Sequence, residues 1–187
     1  MKKTILVSLT CLCLSLVFNN GLFAADGNPW LSITGGEKSI HKISFGGKYH
    51  FDYSNFDRIP IEEDDYSYLM FYEMHNDFAY WQLGGSFTPG PDDDRFDYII
   101  TPQINLIAKD SIFRLGLGAL TSNLKIDGDN DWTKVYWQVI FGLGIPLGSR
   151  FGIDIYGHYV FEGWNWDKIT EPASEAPEIS VMLNFAF

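Results

Sequence analysis

The sequence contains little cysteine and little positive charge. Its two cysteines, Cys11 and Cys13, both lie near the start of the chain, so no disulfide can link the parts that follow. A chain without disulfides is held together by its packing or by a closed sheet. Only 13 lysine and arginine residues stand against 24 acidic ones, and the formal net charge is −11. Such acidity argues against nucleic acid or anionic lipid as a direct partner of the bare surface.

Long apolar runs are also absent beyond the first 24 residues, where nothing approaches the ~18 residues that a membrane helix requires. The start itself has a pair of lysines, an apolar run over Ile5–Phe18 and a small residue at Ala24. This layout predicts a secretory signal peptide over residues 1–24, followed by a periplasmic leader over residues 25–41. Lipid attachment at one of the two cysteines stays open as an alternative, although the apolar run continues beyond both.

The rest of the sequence alternates between apolar and polar or small residues, which is the pattern of β-strands with two different faces. Most of the runs have about the nine to eleven residues that a tilted strand needs to cross a bilayer. The eight runs are Ile43–Tyr53, Tyr66–His75, Tyr80–Phe87, Asp97–Leu106, Phe113–Ala119, Val135–Ile145, Phe151–Glu162 and Ile179–Phe187.

The connections between these runs are alternately short and long. Tight turns are predicted around Asn76, around Lys109 and at Gly148, whereas four connections are longer and polar. Short turns at one end and long loops at the other are typical of outer-membrane barrels. The sequence therefore predicts an all-β protein, an eight-stranded antiparallel up-and-down transmembrane β-barrel over residues 42–187. Its short turns would be periplasmic and its longer loops extracellular.

The composition of the two faces decides what surrounds the barrel. A soluble barrel of the lipocalin kind would place its apolar set inside and a charged set outside. Here the apolar set carries no charge, and the polar set is too sparse in charge for a water-facing surface. Its charged members are Lys48, Asp52, Glu73, Asp97, Arg114, Asp154 and Glu162. The pattern favours lipid outside and a polar interior.

The last residues of the sequence carry the most specific resemblance. The stretch Ser180–Phe187 alternates up to Phe185 and Phe187. In this it resembles the small eight-stranded bacterial outer-membrane barrels, the family of the outer-membrane protein A transmembrane domain and the opacity proteins. The resemblance implies that Phe185 and Phe187 form a signal read by the outer-membrane assembly machinery. It also implies a monomer in the outer membrane of a Gram-negative cell, in contact with membrane lipids and lipopolysaccharide.

The interior of an eight-stranded barrel has room only for side chains. We predict a buried ionic network in which Arg114 neutralises Glu73 or Asp154, with Lys48 and Asp52 as further members, since a lone buried charge is costly. A polar constriction of a narrow channel stays open as the alternative. The inward glycines 116, 118, 142 and 144 either leave a void or make room for Tyr156, Phe71 and Met182.

A catalytic arrangement is a further alternative. The pairing of the last two strands places His158 beside Ser180, with Glu162, His50 and Asp52 nearby, and these are the parts of a nucleophilic triad. Polar residues are, however, what any barrel interior needs, and a packed interior admits no acyl chain or peptide. We therefore predict no catalytic residues and no cofactor.

The long connections are acidic. Asp127, Asp129 and Asp131 have the spacing that begins a calcium loop, but Trp132 replaces the required glycine and Gln138 the bidentate glutamate. These acidic residues are interpreted as a hydrophilic rim of the barrel. Divalent-cation binding near lipopolysaccharide phosphates stays open as an alternative. Together the patterns predict an outer-membrane barrel with a structural or surface-interaction role. The alternatives are a narrow channel for small solutes or ions and, third, an outer-membrane lipid-modifying enzyme.

Overall fold

A computed structural model describes residues 40–51, 65–90, 96–126, 128–170 and 178–187. The predicted signal peptide and most of the predicted leader lie outside these residues, as do Asp52 and Asp127. The strands are β1 (Ile40–Tyr49), β2 (Tyr66–His75), β3 (Ala79–Pro89), β4 (Phe96–Asp110), β5 (Phe113–Leu120), β6 (Asn123–Ile126), β7 (Asp129–Trp132), β8 (Tyr136–Pro146), β9 (Phe151–Phe161) and β10 (Glu178–Ala186). One short helix, α1 (Trp166–Thr170), follows β9. None of the helical structure in the described part of the chain is long and apolar enough to cross a membrane.

The strands close into a ring in the order β1, β2, β3, β4, β5, β8, β9, β10, with every neighbour antiparallel. The first and last strands meet, with Ile43 opposite Phe185 and Lys48 opposite Ser180. The predicted eight-stranded antiparallel barrel is confirmed. Closure leaves no open edge, so the backbone groups of the wall pair within the sheet. β1 begins at Ile40, inside the range that the sequence assigned to the leader.

One wall of the barrel extends further than the sequence predicts. β4 has 15 residues, pairing with β5 over its second half and with β6 over its first. β6 in turn pairs with β7, with Ile126 opposite Asp129, so part of the long polar connection predicted between the runs Phe113–Ala119 and Val135–Ile145 is a hairpin. Thr133 ties this hairpin to the barrel, because its carbonyl accepts from Thr121 Oγ1 at 3.0 Å and its own Oγ1 accepts from Ser122 N at 2.9 Å.

The two faces of the wall differ as the alternation predicts. Inward side chains are buried, whereas each barrel strand presents exposed apolar side chains outward. One such residue from each strand, between 37% and 58% exposed, is Phe45, Met70, Leu83, Ile104, Leu117, Phe141, Ile155 and Leu183. The connections β2–β3, β4–β5 and β8–β9 define the turn end of the barrel, and the opposite end is the loop end.

Two apolar clusters cross the interior. The first, which we call the central plug, consists of Leu69, Phe71, Tyr80, Ile107, Ile140, Tyr156 and Met182. The second lies toward the loop end and consists of Ile99, Leu120, Leu124, Tyr136 and Val160.

Glycines make the central plug possible. Gly142 lies directly opposite Tyr156, and a Cβ atom on it would lie 2.7 Å from Tyr156 Cδ1. Gly84 faces Phe71 in the same way, with 2.9 Å to Phe71 Cδ1. These glycines therefore accept a neighbour's ring and do not leave a void, in keeping with the use of strand glycine where another group approaches closely.

The end of β9 departs from the predicted alternation. Phe161 points outward, as predicted, but is only 1% exposed because Trp164 packs against it, with ring centroids 5.1 Å apart. Glu162, predicted to face the interior, lies beyond the strand and contacts Lys134 and Lys168. The difference arises because the chain leaves the strand after Phe161 and folds back on the outside of the wall.

Candidate functional site in the barrel interior

Arg114 and Asp154 lie together near the turn end of the interior. Arg114 Nε is 4.0 Å from Asp154 Oδ1, and Asn184 Nδ2 donates to Asp154 Oδ2 at 2.7 Å. Arg114 Nη1 also donates to the carbonyls of Ser111 and Phe113, both at 2.9 Å. The guanidinium thus joins the β4–β5 turn to a carboxylate on β9, which fixes the position of both.

Glu73 is hydrogen-bonded by polar side chains other than Arg114. Its Oε1 accepts from Ser44 Oγ at 2.7 Å and from Gln82 Nε2 at 3.0 Å, and its Oε2 lies 2.6 Å from His75 Nε2. Of the two carboxylates considered for Arg114, the one in ion-pair distance is Asp154. A buried carboxylate needs several donors to offset its lost hydration, and Glu73 receives them from three different strands.

A chain of amide side chains begins at Glu73 and follows the wall. Asn105 Nδ2 donates to Gln82 Oε1 at 2.8 Å, and Gln138 Nε2 donates to Asn105 Oδ1 at 2.7 Å. The last of these bonds crosses β5 at Gly118, which lies opposite both Asn105 and Gln138. A Cβ atom at Gly118 would lie 1.9 Å from Asn105 Oδ1, so the bond needs a glycine there.

This series of hydrogen-bonded side chains ends at a histidine and a serine. His158 Nδ1 lies 3.2 Å from Gln138 Oε1, and His158 Nε2 lies 2.8 Å from Ser180 Oγ. Gln138 Nε2 already donates to Asn105 and to Gln103, so its Oε1 is the acceptor toward the imidazole. His158 therefore carries its proton on Nδ1, and its Nε2 accepts from the serine hydroxyl. Every donor in the chain points toward Glu73.

A second charged cluster lies near the loop end. Lys48 Nζ is 2.7 Å from Glu178 Oε2, and His50 Nδ1 is 2.5 Å from Glu178 Oε1. His50 Nε2 lies 2.5 Å from Ser67 Oγ, which in turn lies 2.6 Å from Thr88 Oγ1. Lys48 was singled out from the sequence, but its partner Glu178 was not. The alternation of β10 contained the signal, because Glu178 has the same inward parity as Ser180.

Ser67, His50 and Glu178 have the connectivity of a nucleophile, a base and an orienting carboxylate. All three side chains are buried, and Ser67 Oγ is already engaged by Thr88. The pair His158 and Ser180, noted from the sequence, lies with Gln138 and away from Glu162. A nucleophile has to reach a substrate carbonyl, and burial of this kind characterises a packing network instead.

The acidic residues of the rim are spread along a strand. Asp129 and Asp131 both belong to β7, opposite Ile126 and Leu124, and both are exposed. Among the residues that the structure describes, no group of three or more histidine, cysteine or acidic side chains is arranged to hold a metal ion. Divalent-cation binding at the rim remains a prediction.

The two phenylalanines of the predicted assembly signal lie at the turn end. Phe185 packs against Phe151 with ring centroids 5.1 Å apart. Phe187 follows β10, and its backbone N donates to the carbonyl of His41 at 3.1 Å. Its ring lies 6.4 Å from the His41 ring and is 65% exposed. The backbone is therefore held by the sheet while the aromatic side chain points outward.

The closed wall, its apolar outside and its hydrogen-bonded inside define a small eight-stranded β-barrel protein. No protein-family model matches the chain, and no curated protein matches it. Among solved structures, Neisserial surface protein A has 10% sequence identity and a TM-score of 0.48, over 80% of this chain and 96% of that one. The attachment invasion locus protein of Yersinia pestis has 16% identity and a TM-score of 0.38, over 80% of this chain and 97% of that one.

Proposed function

We propose that this protein is an outer-membrane β-barrel with a structural or surface-interaction role. The observation that carries the proposal is the exposed apolar outer face, to which all eight barrel strands contribute. Soluble monomers rarely expose a contiguous apolar patch beyond a few hundred Å². A closed barrel is also one of the two structures that satisfy the backbone within lipid. Lipid is therefore the medium that suits this surface.

The interior supports a role without conduction. The central plug closes the middle of the barrel, and the second apolar cluster lies between it and the loop end. The polar groups between and around them are bonded to each other, as in the chain from Glu73 to Ser180. An ion would have to displace these bonds and enter an apolar layer, which is costly. A narrow channel is the competing hypothesis.

Cell fractionation tests the location directly. The expressed full chain is expected to fractionate with outer membranes and to migrate differently on gels before and after heating, as closed barrels commonly do. Recovery in the soluble periplasmic fraction would overturn the proposal in favour of a soluble barrel. Purified protein in planar bilayers is expected to be silent at high loading, and single-channel events would support the channel instead.

The absence of catalysis is tested at the most triad-like hydroxyl. A fluorophosphonate probe labels activated serines, and the folded protein is expected not to react at Ser67 because that side chain is buried. Labelling that disappears in Ser67→Ala but persists in Ser180→Ala would favour an enzyme.

The proposed partners follow from the same location. They are outer-membrane lipids and lipopolysaccharide around the wall, and the assembly machinery at Phe185 and Phe187. The exposed ring of Phe187 at the turn end supports the second of these. The barrel closes on itself within one chain, which supports a monomer.

A further inference from the structure

The β6–β7 hairpin has two different faces. Leu124 points inward, where it is buried in the apolar cluster toward the loop end, and Asp131 lies directly opposite it. Opposite residues of an antiparallel pair share a face, and neighbours along a strand point to opposite faces. The other face of the hairpin therefore points outward, away from the barrel axis. Its four members, which we call the hairpin outer face, are Asn123, Lys125, Asn130 and Trp132.

The hairpin outer face places an open indole beside two amides. Trp132 is 58% exposed and lies directly opposite Asn123, and Asn130 is its neighbour on the same face of β7. Lys125 Nζ contacts the carbonyl of Gly128, so its ammonium group is engaged at the hairpin turn. The side chains of Asn123 and Asn130 make no hydrogen bond to any residue that the structure describes. Each amide is therefore available to donate and to accept hydrogen bonds.

Trp132 lies further from the middle of the barrel than the outward rings at the ends of β8 and β9. Trp137 of β8 and Trp164 are in contact at the loop end, with ring centroids 5.5 Å apart. Trp132 is five residues away from Trp137 along the chain, a separation of roughly 15 Å at about 3.3 Å per strand residue. With a strand tilt of about 40°, this raises Trp132 by on the order of 10 Å. Anchoring at the headgroup level accounts for Trp137 and Trp164, but not for an indole at that height.

Two more exposed indoles lie on the same side of the barrel, closer to its middle. Trp164 and Trp166 are 54% and 40% exposed. Their segment is joined to the base of the hairpin, because Lys134, two residues after Trp132, contacts Glu162, two residues before Trp164. Exposed indoles thus extend from β7 to α1 along one side of the loop end.

We propose that the hairpin outer face binds a neutral oligosaccharide, with the C–H face of a pyranose ring against Trp132 and its hydroxyls hydrogen-bonded to Asn123 and Asn130. Trp164 and Trp166 contact further sugar units toward the membrane. A pyranose ring suits this surface, because it presents an apolar C–H face to an indole and hydroxyl groups to amides. The inference gives a ligand class to the proposed surface-interaction role and rests on that role.

The geometry of the hairpin also favours a neutral ligand over a charged one. Asp129 and Asp131 lie opposite Ile126 and Leu124, on the inward face, so the hairpin outer face carries no acidic side chain. Its one lysine is engaged by a backbone carbonyl. The backbone of Trp132 is paired with Asn123, so the ring needs little further ordering to bind, which lowers the entropic cost.

Isothermal titration calorimetry of the folded full chain in neutral detergent tests the proposal. The probes are maltoheptaose, chitotetraose and a neutral O-antigen oligosaccharide of lipopolysaccharide. The wild type should bind at least one of them, with the same affinity at about 50 mM and about 500 mM salt, because the ligand is uncharged. Preference for the O-antigen probe would support a ligand on the cell's own surface, and preference for either other probe would support a glycan of another origin.

Substitutions at the hairpin locate the site. Trp132→Ala should lower the affinity about tenfold, which corresponds to about 1.4 kcal/mol, and Trp132→Phe should recover part of that loss because it keeps an aromatic face. Tyr68→Ala removes a comparably exposed outward ring from β2, across the barrel, and should leave binding unchanged. Asp129→Asn alters the inward face of the hairpin and should also leave it unchanged. Heat-modifiable gel migration checks that each variant is folded.

Insertion of Trp132 into lipid is the competing explanation for its exposure. In liposomes, the fluorescence lost on Trp132→Phe should be the same with brominated and with ordinary acyl chains, because the ring lies above the lipid. Quenching of that difference by bromine would place the ring in the bilayer and overturn the proposal. So would the absence of binding to all three probes, or equal affinity of Trp132→Ala and the wild type. Cell fractionation reports the membrane location separately, so a failure of sugar binding is distinct from a failure of that location.

Discussion

The hydroxyls of Tyr80 and Tyr156 meet at 2.5 Å in the middle of the barrel, where both side chains are fully buried. They come from strands that are not neighbours in the wall, β3 and β9, so the bond spans the interior. It is the polar centre of an otherwise apolar plug. The closure of the barrel interior depends on these two rings.

Tyr156→Ala should open the central plug. Loss of the ring leaves a cavity opposite Gly142, and the free energy of unfolding in urea should fall by about 3–5 kcal/mol. Ion flux in planar bilayers should rise above the silent wild type. Tyr68→Ala is the matched control, because that ring is outward and exposed, and it should produce no flux. Wild-type conductance equal to that of Tyr156→Ala would contradict the role assigned to the plug.

Gly118→Ala should break the hydrogen-bond chain. The new methyl group would overlap Asn105 Oδ1 and separate it from Gln138, leaving buried amide groups without partners. We expect a loss of about 1–3 kcal/mol in unfolding free energy, measured by denaturant titration. Gly47→Ala changes an outward glycine of β1 whose nearest atom would be 3.8 Å away, and it should cost far less. Equal losses of stability in the two variants would show that the hydrogen bond between Asn105 and Gln138 does not stabilise the barrel.

Lys48→Met should destabilise the protein, because it removes the lysine of the buried ion pair with Glu178. Removing one partner of a buried ion pair costs about 3–5 kcal/mol, measured as the change in unfolding free energy. Adding Glu178→Gln to the same protein should recover part of that loss, since the uncompensated charge is then gone. Lys125→Met, at the exposed rim, serves as the control. A double variant less stable than Lys48→Met alone would contradict the pairing.

Acid should release the segment that folds back on β9. The pKa of Glu162 is lowered from 4.5 by its bonds to Lys134 and Lys168, so the stability that it contributes is present above that value and is lost as pH falls through the lower pKa of the folded state. Trp164 fluorescence should therefore change reversibly below pH 4.5. Glu162→Gln should remove this transition, and a transition that persists in the variant would assign it to another group.

Phe187→Ala should impair assembly in the outer membrane. The backbone bond to His41 remains in this variant, so a loss of assembly would report recognition of the side chain and not fraying of β10. The measurement is the folded fraction in isolated outer membranes. Phe113→Ala is the control, because Phe113 is an equally exposed phenylalanine at the turn end. Normal assembly of Phe187→Ala would count against the signal.

Alternation along the sequence was sufficient to predict the strand number and to assign most side chains to a face. It failed at Glu162, because parity holds only while the chain stays in the strand, and it did not predict that Trp164 would cover the outward ring of Phe161. The β6–β7 hairpin was missed because aspartate, asparagine and glycine favour turns, whereas pairing with the long β4 extends the strand there. The partners of Glu73 and Lys48 depend on register across strands, which a face pattern does not specify.

Because its members pair across strands, the hydrogen-bonded series of amide side chains also bears on the strand register. An apolar belt repeats every two residues, so sliding a strand by two positions leaves the outside equally apolar. The hydrogen-bonded side chains of the interior do not repeat in this way, because each bonds to one particular residue on the next strand or across Gly118. They are Glu73, Gln82, Asn105, Gln138, His158 and Ser180. A strand that slipped by two residues would keep an apolar outer face but would lose its hydrogen-bond partners in the series. The polar interior thus encodes the strand register, about which the apolar outer surface carries no information.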